Sequence, residues 1–179
     1  EDLFRRNREV FRECGADVVV VNAAGCGAAL KEPPAAFPDG LGIPVRAICE
    51  LLDEIGIVPP IGRIDRRVVY DQPCHLLHGQ RIGAEVVEGL LRQIPGIDLR
   101  PLRDSDRCCG SGGVYNVVHA DLADPIGREK AACIREADPE IVVTGNPGCA
   151  LQIQALLDGA PIEVLHPVEL LDRSYGRSL

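Results

Sequence analysis

The sequence predicts an α/β protein: a mainly parallel sheet flanked by helices, built from a duplicated cysteine-rich unit whose first copy is truncated. Three observations predict it. Short apolar runs alternate with helical stretches over short turns, as in RVVY (67–70), IDLRPL (97–102) and EIVVT (140–144), and such alternation builds parallel sheets with helices on their faces. The hydrophobic content of 46% includes only 3% aromatics, leaving Val, Leu, Ile and Ala as the filling expected of a sheet buried on both faces. Two segments recur: ADVVVVNAAGCG (16–27) against PEIVVTGNPGCA (139–150), each followed downstream by ELLD, at 50–53 and 169–172. Their separation far exceeds the ~20–50 residues of a solenoid repeat and reads as a duplicated domain.

The expected domains are residues 1–62, the C-terminal part of a first unit, and residues 66–179, a complete second unit. The Pro/Gly-containing stretch 58–65 links them. Within the second unit, a strand at 67–70 leads through DQP into a helix from about Cys74 to Ile94, ended by Pro95-Gly96. A strand at 97–102, the loop CCGSGG, and a helix within 121–137 follow. A strand at 140–144, a helix at 149–158, a strand at 162–165 and a helix at 167–174 complete it. The chain begins at Glu1 with no Met and no signal sequence, and is expected to start partway through a longer reading frame.

A formal net charge of −8 argues against nucleic acid or an anionic membrane as partner, since both require a concentrated basic surface. No apolar run approaches the ~20 residues of a membrane span. Eight cysteines without a secretory signal read as metal ligands or redox groups rather than disulfides. Four of them lie where strands give way to loops. Cys74 follows a strand and DQP, Cys149 follows a strand and GNPG, and Cys108-Cys109 occupy a Gly-rich loop. In open α/β sheets the loops beyond the carboxyl ends of strands form the binding crevice. Cys74 and Cys149 would also begin helices, where free N–H groups and the helix dipole favour thiolates, the form that ligates iron or zinc. Gly110, Gly112, Gly113 and Gly148 would let backbone amides approach the metal site.

Cys14, Cys49 and Cys133 lie in amphipathic patterns and read as small buried hydrophobes. Cys26 occupies the place of Cys149 in the truncated unit and is a further ligand candidate, its partners expected in sequence outside the chain. His75, His78, Gly110, Asn146 and Gly148 are candidates for supporting contacts to the ligands; the two histidines, three residues apart and so able to share a helix face, are also open to metal ligation or capping. His166 reads as structural, and Asp71 and Asp106 as turn or N-cap residues. Pro73 and Pro147 flank the cysteine turns and leave their isomeric state open. The SGG that follows CCG lacks a P-loop lysine.

The set DQPCHLLHGQ (71–80), DRCCGSGG (106–113) and GNPGC (145–149) resembles the cysteine-rich CCG domain, found in heterodisulfide reductases, in lactate-utilisation proteins and in glycolate oxidase iron–sulfur subunits. NAAGCGAALKE (22–32), CCGSGGVYN (108–116) and HPVELLD (166–172) are most similar to the C-terminal part of the last group. The resemblance implies an oxidoreductase subunit in electron transport. Cys74, Cys108, Cys109 and Cys149 would hold a [4Fe–4S] cluster, and partner flavoprotein subunits carrying FAD would oxidise glycolate or another 2-hydroxy acid. It also implies an N-terminal ferredoxin-like domain, outside this chain, with two further [4Fe–4S] clusters. The location would be cytoplasmic, or peripheral to the inner membrane through the complex. Asn146 stands where the five-cysteine pattern of heterodisulfide reductase has a cysteine, and Ala23 where the first unit would have it. Two other readings stay open: a thiol–disulfide reductase subunit of the heterodisulfide type, and a non-catalytic zinc-binding assembly module, since four thiolates also suit zinc.

Overall fold

A computed structural model describes residues 2–176. The principal sheet contains β3 (Arg67–Asp71), β4 (Asp98–Arg100), β5 (Ile141–Thr144) and β6 (Glu163–Leu165), in the order β4-β3-β5-β6. Every pairing in it is parallel; Val69, for example, lies opposite Arg100 on one side and Val142 on the other. The expected mainly parallel α/β architecture is what the chain adopts.

The two central strands are apolar on both faces because both faces are covered. Side chains alternate along a strand, so Val68, Tyr70, Ile141 and Val143 enter one core with α3 (Ile48–Ile55), α4 (Ala84–Leu91) and α8 (Pro167–Ser174). Val69 and Val142 enter the other, beneath α6 (Ala120–Glu136) and α7 (Pro147–Leu156), with Ile134 and Ile153. The chain leaves β3 for β4 on one side, then returns to β5 on the other. The carboxyl ends of β3 and β5 therefore flank a topological switch point, where the loops diverge and leave a crevice.

A separate two-stranded parallel sheet pairs β1 (Val19–Val21) with β2 (Val45–Ala47). It carries α1 (Asp2–Glu13) and α2 (Ala24–Lys31) over a small core of Phe4, Phe37, Leu41 and Val45. The element order β1-α2-β2-α3 matches β5-α7-β6-α8. The repeated ELLD has a physical reason in both places: its Glu lies at the third helical position and turns back to accept the N–H that opens the helix. Glu50 Oε2 accepts from Ala47 N at 2.9 Å, and Glu169 Oε2 from His166 N at 2.6 Å.

The expected continuous helix from Cys74 to Ile94 is not formed. A single π-helical turn, His75–Gly79, is followed by an irregular link and then α4. The link holds Arg81 at φ 58°, and its backbone is fixed by Ile82 N–H donating to Leu76 O at 3.0 Å and Gln72 Nε2 donating to Ile82 O at 3.1 Å. The π turn brings Gly79 against Ala28 of α2, where a Cβ would lie 2.8 Å from the alanine methyl. Tertiary packing of α2 has overridden the helical pattern. The strand expected at 97–102 is shortened to three residues, because Pro101 has no N–H to continue the ladder. Helices and strands further along lie within two residues of their expected bounds, and 58–65 contains no helix or strand.

Candidate metal centre

Each of the three loops at the switch point places cysteine for a local reason. After β3, Gln72 N–H donates to Ser105 O at 3.0 Å, and Pro73 O accepts from Leu76 N and Leu77 N at 2.9 and 3.1 Å. These bonds set Cys74 at the mouth of the π turn. After β5, Asn146 caps α7 in extended conformation, Pro147 takes the first helical position, and Cys149 lies within the first turn. Gly148 permits close approach there: a Cβ would sit 3.0 Å from Ser111 Oγ of the CCG loop. Between them, Gly110 adopts φ +86°, and a Cβ would fall 2.7 Å from Ala123 O. Glycine is required at that turn.

The structure brings together Cys74, Cys108, Cys109 and Cys149. Cys74 and Cys109 lie near enough to Cys108, and Cys149 near enough to Cys109, for each thiol to shift its neighbour's titration. All four are free thiols. They form a row from surface to interior, with Cys108 exposed, Cys74 half-buried, and Cys109 and Cys149 buried. Among the described residues, no three His, Cys, Asp or Glu side chains are gathered around one point as ligands of a single ion.

Donors already aim at three of the sulfurs. Gly110 N–H points to Cys108 Sγ at 3.3 Å, Ser111 N–H to Cys109 Sγ at 3.5 Å, and Asn146 Nδ2 to Cys149 Sγ at 3.3 Å. His75 Nδ1 lies 3.6 Å from Cys74 Sγ. Asn146 also accepts from Gly25 N through Oδ1 at 3.2 Å, and Ala24 N donates to Gly145 O at 3.1 Å. The first turn of α2 is thus fastened to the loop that carries Cys149.

Cys26, next to Gly25, is exposed on α2. His78 is exposed. Cys49 and Cys133 fill the two main cores, as small buried hydrophobes. Cys14 does not: it lies exposed beyond the end of α1, its thiol donating to Phe11 O at 3.0 Å. His166 caps α8, Nδ1 accepting from Val168 N at 3.3 Å. Asp106 lies in an exposed turn. No peptide bond among the described residues is cis, so Pro73 and Pro147 are trans. Asp71 is not a turn cap. It is buried, 2.8 Å from the ammonium of a fully buried Lys130, with Oδ2 accepting from Thr144 Oγ1 at 2.9 Å. Nothing in the local pattern marks that pair, since Lys130 reads as one more charge on an amphipathic helix.

The helix-terminus expectation of a thiolate at Cys74 needs correction. Burial, and then repulsion from Cys108, push the Cys74 thiol up. Cys108 is raised by the adjacent Cys109 thiol and by burial. For Cys109, the neighbouring Cys108 thiol lowers the value, but the Cys149 thiol and burial outweigh it, pushing the thiol up to about 12. Without a cation these groups stay protonated near neutrality, so metal binding must release protons. The sulfur-only donor set, with amide donors on its sulfurs, fits an iron–sulfur cluster.

A family profile, the CCG cysteine-rich domain, matches residues 1–31 and 68–154. The chain belongs to the CCG cysteine-rich domain family. Its relatives include a fumarate reductase (CoM/CoB) subunit of Methanothermobacter marburgensis, 35% identical over 98% of this chain and 36% of the relative. The glycolate oxidase iron-sulfur subunit of Escherichia coli is 31% identical over 92% of this chain and 42% of the relative. Lactate utilization protein A of Bacillus licheniformis is 28% identical over 94% of this chain and 74% of the relative. The CCG chain thus spans roughly two fifths of the length of the first two. Iron–sulfur subunits among the relatives support a redox, electron-transferring role and an iron–sulfur cluster for this CCG chain. No helix is long and apolar enough to cross a membrane among the described residues.

Proposed function

We propose that the chain is the cysteine-rich electron-transfer part of an iron–sulfur subunit that serves a flavin-linked 2-hydroxy-acid oxidase, with glycolate as the complex's substrate. The convergence of four thiols from three separate loops at one switch point carries this reading. Relatives named for glycolate oxidase and for lactate utilisation favour 2-hydroxy acids as the substrate class.

On this reading Cys74, Cys108, Cys109 and Cys149 hold a [4Fe–4S] cluster, which accepts and passes on single electrons. The protein's part is to hold and tune it. Gly110 N–H, Ser111 N–H and Asn146 Nδ2 stabilise negative charge on three sulfurs, and burial of Cys109 and Cys149 keeps water from the inner side. The exposed edge at Cys108 gives a partner access. FAD and the hydroxy acid belong to partner flavoprotein subunits, and a ferredoxin-like domain with further clusters belongs to the longer protein. The complex is cytoplasmic or peripheral to the inner membrane. The two units, 1–62 and 66–179, arose by duplication; the matching strand–helix order and the two back-turned glutamates support this. Cys26 is then a half-site of the first unit, completed by residues outside this chain.

The relative named for CoM/CoB fumarate reduction favours a second reading, in which adjacent Cys108 and Cys109 perform thiol–disulfide chemistry. Asn146, in place of a fifth cysteine, counts against it. Anaerobic purification followed by iron and sulfide analysis separates the readings. Iron with sulfide in the wild type, lost in Cys108→Ser and Cys149→Ser, supports the electron-transfer reading. Full iron content in both variants would overturn the ligand assignment, and stoichiometric zinc without iron would establish the assembly-module reading.

A further inference from the structure

We infer that Lys130 is a positioning residue for the thiol row, one buried ammonium that holds all three cysteine loops in register. The inference rests on the four thiols being the metal site proposed above.

Lys130 sits on α6 with no solvent exposure. Its Nζ donates to Asp104 O and Ser105 O, both at 3.0 Å, in the segment that leads into Cys108. The same Nζ lies 2.8 Å from Asp71 Oδ1, at the end of the strand that leads into Cys74. Asp71 Oδ2 in turn accepts from Thr144 Oγ1 at 2.9 Å, at the end of the strand that leads into Cys149. Oδ1 has no hydrogen-bond partner of its own among the described residues, so the ammonium is what compensates it. A fourth bond closes the arrangement: Ser105 O also accepts from Gln72 N–H at 3.0 Å. The helix that bears Lys130 further touches the CCG turn, since Ala123 O and Gly127 N crowd Gly110.

Lysine is almost never fully buried unless paired. Where filling space is the need, a buried ion pair is commonly replaceable by apolar side chains without loss of stability. A methionine at 130 would fill the volume but would leave Asp71 Oδ1 uncompensated and would cut the tie from Asp71 to Asp104 O and Ser105 O, which keep only the backbone donors Arg107 N–H and Gln72 N–H. The cation links groups remote in sequence, each a few residues before a cysteine, and this is the property packing cannot supply. Partners that orient metal ligands typically account for about 10- to 100-fold in metal affinity.

The test compares wild type, Lys130→Met, the double variant Lys130→Met/Asp71→Asn, and a core control, Val87→Ala, on the sheet's other face. Release of bound metal to a chelator is followed at a temperature where circular dichroism shows all four folded. Lys130→Met is expected to release metal at least about ten times faster than wild type, and Val87→Ala at the wild-type rate. The double variant removes the orphaned carboxylate charge; it is expected to recover melting temperature without recovering metal retention. In metal-free protein, Cys109 and Cys149 should be alkylated faster in Lys130→Met than in Val87→Ala. Retention that follows melting temperature across all variants, with unchanged alkylation, would overturn the inference. A wild type that holds zinc instead of a cluster would overturn the electron-transfer reading, while the chelator and alkylation measurements still decide the role of Lys130.

Discussion

Replacing Asn146 by Ala separates tuning of the cluster from holding it. The side chain makes two bonds, Nδ2 to Cys149 Sγ at 3.3 Å and Oδ1 from Gly25 N at 3.2 Å. The first stabilises negative charge on sulfur, and that charge grows when the cluster is reduced. A bond to a charged acceptor contributes about 1.5–3 kcal/mol in total. If roughly a third of that distinguishes the reduced from the oxidised state, the differential is about 0.5–1 kcal/mol. With ~59 mV per tenfold change for one electron and ~1.36 kcal/mol per tenfold, the potential should fall by about 20–45 mV. The second bond adds a separate effect. Loss of a partner for Gly25 N–H costs about 1 kcal/mol, or about 2–4 °C in melting temperature for a chain of this size. An EPR-monitored redox titration of anaerobic protein measures the first, and calorimetry the second. An unchanged or raised potential in Asn146→Ala, with iron content intact, would refute the tuning role.

Other outcomes follow from the same geometry. Gly110→Ala forces a residue at φ +86° and places a methyl against Ala123 O; it should cost about 1–3 kcal/mol and lower metal content, read by denaturant unfolding and iron assay. Cys108→Ser and Cys149→Ser should each abolish the iron signal, while Cys133→Ser, altered in a core position, should retain it. Burial pushes the Cys49 thiol up to about 12 from the usual value of 9.0. The folded state therefore keeps a proton that the unfolded chain releases, so its contribution is complete below pH 9 and is lost as pH rises towards 12. Between those limits the slope approaches about −1.4 kcal/mol per pH unit. Urea unfolding at pH 8–10.5 should show a shallower decline in Cys49→Ala than in wild type, and parallel declines would contradict the burial argument.

Much of this arrangement was legible because parallel sheets write themselves locally. RVVY and EIVVT announce buried strands, and the cysteines that follow them fall at carboxyl ends by the rule that governs open sheets. The π turn at His75–Gly79 was not legible. HLLHG continues a helical pattern, and the cause of the break lies in α2, whose Ala28 needs Gly79 beside it and whose Ala24 O accepts from Gln80 Nε2 at 2.9 Å. Lys130 was invisible for a similar reason. Its partners at 71, 104 and 105 are distant in sequence and two of them are backbone carbonyls, which no side-chain motif records. Cys14 shows the opposite failure, since an amphipathic pattern that ends one residue early leaves its thiol in solvent.

On the proposed function, Cys74, Cys108, Cys109 and Cys149 hold an iron–sulfur cluster that carries single electrons. Iron and acid-labile sulfide analysis with EPR, on anaerobically prepared protein before and after dithionite, tests it most directly. Iron and sulfide are expected in equal amounts, with a paramagnetic signal that changes on reduction and disappears in Cys108→Ser. Colourless protein with stoichiometric zinc, or a wild-type signal that survives in Cys108→Ser and Cys149→Ser, would contradict it.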